Sequence, residues 1–372
     1  MKIVILGLSI TSSWGNGHAT TYRGLVRELS RRGHDLLFLE RNVPWYAAHR
    51  DLPRPPFGRT ALYSSLADLK KRFSTEIESS DCTIIGSYVP DGIEVIRWVL
   101  EKNPGLTSFY DIDTPVTLAQ LERGDCEYLA RDLIPRFDLY LSFTGGPTLD
   151  LLELEFGAAL ARPLYCSVDP ELHFPESRRR KWALGYLGTY SPDRQPALQS
   201  LLMTPARGLA QKRFIVAGPQ YPKSIAWPPN VARIEHLPPA QHRTFYNSQR
   251  FTLNLTRADM RAAGYSPSVR LFEAAACGTP LLSDDWNGLE NFFTPGEDIL
   301  IVKNARDVTA ILRDFPEREA QAIGRRARAR VLARHTAAHR AAELEATLRE
   351  LQTRPFAAEP ERKSARREMA LP

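Results

Sequence analysis

The chain has 372 residues, of which 43% are hydrophobic and 25% are charged, and its net charge is +6. This length exceeds one core of ordinary size, so we expect two domains with the composition of a soluble globular protein. The positive charge is not gathered in one groove interleaved with aromatic side chains. We therefore expect no nucleic-acid partner, and anionic ligands or peripheral contact with a membrane surface stay open.

The cysteines and the first residues bear on the compartment. Four cysteines stand singly, without a Cys-x-x-Cys pair or a histidine at zinc spacing, so we expect reduced thiols in the core. The opening run MKIVILGLSI is apolar but lacks a cleavage site, which favours a buried strand over a signal peptide. No run reaches membrane-spanning length. The sequence predicts a cytoplasmic protein.

Strand and helix patterns alternate through the first half of the chain. An apolar strand over 2–8, a small-residue loop, a helix over 22–32 and a strand over 35–39 form a βαβ start. Further strands are predicted near 82–86, 106–110, 137–141 and 162–166, with helices near 65–77, 92–101, 115–122 and 147–155 between them. This alternation predicts a Rossmann-like domain over 1–166, with a mostly parallel sheet covered on both faces.

A polar, proline-bearing and basic stretch over 167–180 is interpreted as an interdomain linker. A second α/β series then predicts another Rossmann-like domain over 181–335. Its strands are expected near 182–187, 213–217, 231–235, 251–255, 280–283 and 298–302, with helices over 268–277, 305–315 and 316–333. A C-terminal helix over 336–352 and a disordered charged tail over 353–372 complete the prediction. Two doubly wound domains place ligands in a cleft, where the carboxyl ends of both sets of strands face each other.

The stretch GYSPSVRLFEAAACGTP, residues 264–280, carries charge into an apolar helix. Ser268 is a candidate N-cap, and Arg270 and Glu273 lie three residues apart on one helix face. A carboxylate in a buried helix is costly unless donors meet it, so Glu273 requires hydroxyls or an arginine. Arg270 at the helix start favours an anion. The alternative is an internal ion pair between the two without function.

This segment and its surroundings resemble a known family. The run SPSVRLFEAAACGTPLLSD, with GYLGTYSPDR upstream and CSVDPELHFP at the linker, is similar to the donor-binding half of two-Rossmann-domain (GT-B) glycosyltransferases. The similarity is strongest to the branch related to the bacterial spore-maturation CgeB proteins and covers roughly residues 181–334. It implies that ribose hydroxyls of a nucleotide sugar meet Glu273, while Ser268 and Arg270 face the diphosphate.

The same resemblance implies a function. We expect metal-independent transfer of a sugar from a nucleotide-diphosphate sugar, bound by the second domain, to an acceptor held mainly by the first. No cofactor is expected besides the donor substrate, and the acceptor class and the oligomeric state stay open. Two alternatives remain: a nucleotide-sugar epimerase of the same architecture, and a non-catalytic protein that binds a sugar or nucleotide.

Two other strand ends supply donor-side candidates. The sequence LGYLGTYSPDR ends a strand where amide groups and a helix start can meet phosphate oxygens, with an ordinary tight turn as the alternative. After the strand over 231–235, related enzymes hold the nucleobase against backbone and an apolar side chain, with a surface histidine as the alternative. The candidates are Gly188, Thr189, Tyr190 and Arg194 at the first strand end, and His236 and Leu237 at the second.

One position departs from the family pattern. Many retaining members carry a second glutamate about eight residues before the ribose-binding one, and here that position is Tyr265. A retaining mechanism therefore does not follow from the resemblance. Thr256 and Tyr265 remain donor-side candidates, and Arg257 is a candidate for stabilising the leaving diphosphate without a metal.

A glycine-bearing loop follows the first strand. Gly15, Asn16 and Gly17 let a substrate approach the backbone on the acceptor side, and His18 would stand at the cleft. A histidine near pKa 6.5 is a candidate general base for an acceptor hydroxyl, and a helix-start histidine without catalytic function is the alternative. The loop is not a GxGxxG fingerprint, because Thr20 stands where a third glycine or alanine is expected.

An Asp-x-Asp pair follows the strand over 106–110. In single-domain glycosyltransferases such a pair binds a divalent metal, but here it lies in the acceptor half, so we expect no metal site. Asp113 is a candidate catalytic base or acceptor contact, or simply an N-cap before Pro115. Asp284 and Asp285 are sugar contacts or, as we favour, part of a turn.

Overall fold

The computed structural model describes residues 1–15 and 17–353. The candidate Asn16 and the predicted tail beyond Thr353 lie outside the described residues. Within the described part, two separate parallel sheets have helices on their faces, which confirms the predicted α/β fold of two doubly wound domains. We refer to the parts built on these sheets as the first and second domains.

The first sheet has seven strands in the order β3-β2-β1-β4-β5-β6-β7. In β1 the side chains from Ile3 to Leu6 are all buried, as expected for a central parallel strand with both faces covered. The strands are β1 (Lys2–Gly7), β2 (Asp35–Arg41), β3 (Arg59–Tyr63), β4 (Cys82–Gly86), β5 (Leu106–Asp111), β6 (Leu139–Ser142) and β7 (Ala161–Pro163). The helices are α1 (His18–Arg31), α2 (Pro44–Ala47), α3 (Leu66–Glu78), α4 (Gly92–Lys102), α5 (Thr114–Arg123) and α6 (Pro147–Leu154), with a 3₁₀ helix at Arg131–Arg136.

The second sheet has six strands in the order β10-β9-β8-β11-β12-β13. They are β8 (Trp182–Leu187), β9 (Phe214–Ala217), β10 (Val231–Ile234), β11 (Gln249–Asn254), β12 (Leu281–Ser283) and β13 (Leu300–Ile301). The helices are α7 (Gln195–Leu198), α8 (Thr204–Gly208), α9 (Pro239–Asn247), α10 (Ala258–Ala263), α11 (Val269–Ala276), α12 (Ala305–Asp314), α13 (Glu317–Arg334) and α14 (Ala337–Thr353). A π-helical turn at Gln199–Met203 and a 3₁₀ turn at Leu289–Asn291 complete the set.

Strand order determines where ligands can bind. The first sheet reverses its direction of growth between β1 and β4, and the second does so between β8 and β11. At such a switch point the loops leaving adjacent strands diverge and open a crevice at the carboxyl ends. The loops after β1, β8 and β11 therefore form the cleft, and these loops hold most of the predicted site residues.

The connection between the domains is more ordered than a linker prediction implies. Val168 forms an isolated parallel bridge with Thr336, and Arg27 of α1 pairs with Asp169. The chain crosses back after α13, because α14 packs on α1 of the first domain, where Arg32 pairs with the buried Glu345. One apolar cluster runs from the first sheet into α11, so the domains share a continuous core.

Two further expectations concern cysteines and membranes. All four cysteines are free, and Cys82, Cys166 and Cys277 are buried while Cys126 is half-buried. Among the described helices, none combines the length and the apolar character that crossing a membrane requires.

Candidate functional site

A cavity of about 300 Å³ lies between the two domains at the carboxyl ends of their sheets. Loops from both domains line it, together with the start of α11 and two side chains of α9. Most of the predicted site residues line this cavity, namely Gly15, Gly17, His18, Asp113, Gly188, Thr189, Arg194, His236, Leu237, Thr256, Arg257, Ser268, Arg270 and Glu273. Tyr190 and Tyr265 do not line it.

Glu273 lies on α11 with only 2% of its side chain exposed. Its Oε2 accepts a hydrogen bond from the Tyr246 hydroxyl at 2.9 Å and lies 3.2 Å from Nδ1 of His242. Its Oε1 lies 3.7 Å from Nε2 of His173. Burial alone would raise the pKa of Glu273, but the two histidines and the hydroxyl outweigh burial and lower it to about 2. The buried carboxylate does have donors, as its burial requires, and it is ionised at neutral pH.

The two histidines respond to this carboxylate differently. Burial lowers the pKa of His242, but the Glu273 carboxylate opposes burial and leaves that pKa above its ordinary value. For His173 burial dominates, and its pKa stays below the ordinary value even with the carboxylate nearby. The ligand atoms of these three side chains all lie within 4.8 Å of one another, so they are the residues in the described part that could hold a metal ion.

Arg270 is buried and does not pair with Glu273, so the predicted alternative of an internal ion pair is wrong. Its Nε donates to the carbonyl of Leu187, and its Nη1 donates to Oδ1 of Asn254 at 2.8 Å. Its Nη2 points toward Gly188, where a Cβ would lie only 3.0 Å from it. One edge of the guanidinium is therefore anchored to strand ends, while the other meets the cavity beside bare backbone.

Ser268 differs from its predicted role as a capping side chain. It occupies the N-cap position of α11, but its hydroxyl donates to Oδ1 of Asn254 at 2.9 Å and makes no capping hydrogen bond. The N-terminal amide groups of α11 are thus not satisfied by that side chain. They face the cavity with the positive end of the helix dipole, which favours an anion there.

Two more arginines lie at the cavity wall. Arg194 donates from Nη2 to the carbonyl of Thr189 at 2.7 Å, and its buried Nε has no partner among the described residues. Arg257, with 35% of its side chain exposed, lies 3.8 Å from the Asp113 carboxylate across the domain boundary. Together with Arg270 they make this part of the cavity cationic, which suits a phosphate group.

The remaining donor-side candidates have mixed placements. His236 is exposed at the rim, whereas Leu237 is buried and its carbonyl lies 3.2 Å from Nε2 of His242. The Thr256 hydroxyl donates to Asp284 at 3.0 Å. Tyr190 does not line the cavity, and its ring packs 5.5 Å from that of Tyr221. The Asp284 carboxylate also accepts the Thr256 amide, which joins the ends of β11 and β12, and the turn favoured for Asp284 and Asp285 is not found at these residues.

His18 opens α1, with only 7% of its surface exposed. Its ring meets Tyr88 edge-on at 5.5 Å, and Nδ1 has no partner among the described residues. Burial lowers the pKa of His18 to about 4, and the positive end of the α1 dipole also disfavours the cation. The imidazole is therefore neutral at neutral pH, and the residue lines the cavity.

The two carboxylates of the Asp-x-Asp pair point to different surroundings. Asp111 is fully buried and accepts hydrogen bonds from Tyr140 at 2.6 Å and Thr117 at 2.7 Å. Only Asp113 lines the cavity, and burial raises its pKa even though Arg257 lies opposite. Asp113 occupies the N-cap position of α5 but makes no capping hydrogen bond through its side chain. Because Asp111 is engaged in the core, the pair presents one carboxylate to the cavity.

Tyr265 is a contact between domains and not part of the cavity lining. Its backbone has a left-handed φ of 48°, which is unusual for a bulky residue. Its ring packs against both Gly146 of the first domain and Gly288 of the second, where a Cβ would lie 2.4 Å from ring carbons. Its carbonyl accepts the amide of Gly145 at 3.1 Å. The residue at the position of the family's second glutamate therefore joins the domains.

Sequence reasoning missed the three side chains that surround Glu273. His242 and Tyr246 lie on α9, a helix that was not predicted, and His173 lies in the segment interpreted as a linker. A signal was present, because His242 and Tyr246 are four residues apart and so share one face of a helix that begins at the second of two prolines.

The fold is that of a known class. The structure is similar over its length to solved GT-B glycosyltransferases. Sucrose-phosphate synthase from Thermosynechococcus elongatus has 14% identity and a TM-score of 0.67, covering 95% of this chain and 100% of its own. HepE of Anabaena in complex with UDP-glucose has 13% identity and a TM-score of 0.71, covering 94% of this chain and 100% of its own. An alpha-glucosyltransferase in complex with UDP-glucose and DNA has 12% identity and a TM-score of 0.68, covering 94% and 99%.

The match by sequence covers a smaller part of the chain than the match by structure. A family model described as glycosyl transferase-like matches residues 194–346. No curated protein sequence matches the chain. The protein thus has the GT-B fold, and residues 194–346 match a glycosyl transferase-like family model.

Proposed function

We propose that the protein transfers a sugar from a nucleotide-diphosphate sugar to an acceptor hydroxyl, without a metal at the diphosphate. The observation that supports this most is the cationic wall made by Arg194, Arg257 and Arg270 around the N-terminus of α11. Three guanidinium groups and a helix dipole can neutralise the charge that develops on a leaving diphosphate, which is the task a metal performs in other enzymes. Because the similar HepE structure contains UDP-glucose, a uridine diphosphate sugar is the first donor to test.

The nucleoside would lie along the second domain. Glu273 would accept the ribose hydroxyls, since Oε1 faces His173 at a distance longer than a hydrogen bond and keeps accepting capacity. The base would pack near His236 and Leu237. Within the GT-B class, the segments 166–175, 185–194 and 266–284 favour the branch that resembles the CgeB proteins.

The acceptor would enter from the first domain. His18 is neutral, has an unpartnered ring nitrogen and lines the cavity, so it is our candidate for removing the hydroxyl proton. Asp113, held opposite Arg257, is the second candidate for this step. Tyr265 contributes no carboxylate to the cavity, and we leave the anomeric outcome to product analysis.

Incubation with uridine, guanosine, adenosine and thymidine diphosphate sugars tests the proposal. Release of nucleoside diphosphate together with a glycosylated acceptor supports it. A donor whose sugar is epimerised, or binding without turnover, would contradict it. Glu273→Gln should lose nucleotide affinity, whereas the matched control Glu290→Gln, at an exposed position of the same domain, should not. Equal affinity in both variants would overturn the ribose assignment.

A further inference from the structure

The cluster of His173, His242 and Glu273 has a feature that nucleotide binding does not explain. Each histidine has one ring nitrogen directed at a backbone carbonyl and the other directed at the carboxylate. Nδ1 of His173 lies 3.3 Å from the carbonyl of Asp169, and Nε2 of His242 lies 3.2 Å from that of Leu237. A carbonyl can only accept, so the nitrogen facing it must carry the proton in each ring.

This assignment leaves bare nitrogens facing the carboxylate. In a neutral ring, Nε2 of His173 presents a lone pair to Oε1 of Glu273, and Nδ1 of His242 presents one to Oε2. Two acceptors that face each other in a buried site repel, and unsatisfied buried polar atoms are costly. Something positive must lie between each nitrogen and the carboxylate.

A second proton on the ring removes this repulsion for only one of the two histidines. Nδ1 of His242 lies 3.2 Å from Oε2 of Glu273, within hydrogen-bond distance, so it can carry a proton and donate. Nε2 of His173 lies 3.7 Å from Oε1, beyond hydrogen-bond distance, and only 3% of the His173 side chain is exposed. Its Nε2 has no hydrogen-bond partner among the described residues. A buried, unpartnered nitrogen therefore points at an ionised carboxylate.

We propose that His173, His242 and Glu273 bind a divalent transition-metal ion of the zinc or cobalt type, with Nε2, Nδ1 and a carboxylate oxygen as ligands. Two imidazoles and one carboxylate are a ligand set that zinc accepts, at bond lengths of about 2.0–2.2 Å. Tetrahedral ligands at that radius are about 3.3–3.5 Å apart. Nδ1 of His242 lies 3.2 Å from Oε2 and Nε2 of His173 lies 3.7 Å from Oε1, and one ligand atom from each of the three residues lies within 4.8 Å of the others, which is close to or somewhat wider than this spacing.

The contacts around these three side chains also fit a metal site. Histidines that bind metals nearly always donate their other nitrogen to a carbonyl or carboxylate, which orients the ring, and both histidines here do so. Tyr246 donates to the carboxylate as a further orienting contact. Because His242 and Glu273 line the cavity, a fourth ligand position faces it and is open to water or substrate.

The metal would regulate the proposed donor site. This part of the inference rests on the proposed function, in which Glu273 accepts ribose hydroxyls. An ion held by Glu273 removes that acceptor from the nucleotide, so metal and donor compete, and zinc inhibits transfer. The ion in this site lies at the ribose end of the cavity, whereas the diphosphate would still be met by the arginines.

Cobalt titration tests the site without any turnover. The full chain, free of an affinity tag, is treated with chelator, desalted and titrated with Co²⁺, whose four-coordinate complexes absorb strongly in the visible. We expect one Co²⁺ per chain, displaced by Zn²⁺. His173→Gln and His242→Gln should each weaken binding by more than the about 10- to 100-fold that loss of an outer-shell partner costs. His236→Gln, at the rim of the same cavity, should bind like the wild type.

Fold and function are checked separately. Zn²⁺ should raise the melting temperature of the wild type but not that of His173→Gln, whose circular dichroism in chelator should match the wild type. Absence of the visible band, or equal cobalt affinity in His173→Gln, would overturn the metal site. For the competition, Zn²⁺ should weaken UDP binding more in the wild type than in His173→Gln. An equal effect would overturn the inhibition alone, and a metal-free protein that binds none of uridine, guanosine, adenosine and thymidine diphosphate would refute the proposed function.

Discussion

The ion pair between His242 and Glu273 makes a prediction about stability that can be worked from the structure. Glu273 has 2% of its side chain exposed, and its pKa falls from 4.5 to about 2 in the folded protein. At about 1.4 kcal/mol per pKa unit, this shift, to which His242, His173 and the Tyr246 hydroxyl all contribute, corresponds to roughly 3 kcal/mol of folding free energy when both histidines are protonated. Removal of one partner of a buried pair typically costs about 3–5 kcal/mol, which is the same range. His242→Gln should therefore destabilise the metal-free protein by about 3 kcal/mol.

The pH dependence follows from the direction of each shift. The lowered pKa of Glu273 contributes stability that is complete above 4.5 and is lost as the pH falls toward about 2. The raised pKa of His242 contributes stability that is complete below 6.5 and is lost as the pH rises through the folded value. The pair should therefore stabilise the protein most between pH 4.5 and 6.5 and less on both sides.

A double-mutant cycle measures this pair directly. Urea unfolding of the wild type, His242→Gln, Glu273→Gln and the double variant, followed in chelator across a pH series, gives the coupling free energy at each pH. We expect a maximum of about 2–3 kcal/mol inside the window. A coupling that is constant with pH, or below about 1 kcal/mol as for exposed ion pairs, would refute the reasoning.

Three other variants test the cavity. Arg270→Gln should weaken UDP binding by about 1.5–3 kcal/mol, or about 10- to 150-fold, because a charge-assisted contact to phosphate is lost. Uridine binding should weaken much less. Equal losses for UDP and uridine in calorimetry would contradict the contact of Arg270 with the diphosphate. His18→Ala should lower kcat by about 10²- to 10⁴-fold with donor affinity retained. In the wild type, activity should fall on the acid side only near pH 4, where His18 becomes protonated. A fall near pH 6.5 would indicate another base. Gly188→Ala places a Cβ 2.6 Å from the Tyr186 hydroxyl and 3.0 Å from Arg270, so its UDP affinity should fall. The control Glu290→Gln should keep the wild-type affinity. Unchanged affinity in Gly188→Ala would show that UDP does not need to approach the backbone at this position.

The sequence was sufficient for the layer architecture because parallel strands buried on both faces read as apolar runs between amphipathic helices. It was weaker where elements are short or polar. The edge strand β3 has partly exposed residues and was not predicted, and β13 has two residues where five were expected. Helix α9 was missed because its sequence PAQHRTFYN has little apolar character, yet it holds His242 and Tyr246.

The candidate site was predictable in position and less so in its contacts. A buried carboxylate must find donors, so the need at Glu273 could be stated from its apolar neighbours alone. The identity of these donors could not be predicted, because His173 is 100 residues away in sequence and lies in the segment that connects the two domains. In the same way, Arg270 was expected at an anion, but its anchoring to the Leu187 carbonyl depends on how β8 and α11 meet.

The return of α14 to the first domain makes that domain discontinuous in sequence. The chain crosses between the domains twice, and the bridge between Val168 and Thr336 holds the two crossings side by side. A chimera that joins the first 166 residues of this protein to a foreign second domain would lose α14, the helix that covers α1. Arg32 would then lack its ion-pair partner Glu345. Exchange of the first domain between proteins of this fold therefore requires two cuts, one at each crossing, so that α14 is transferred with the domain it covers.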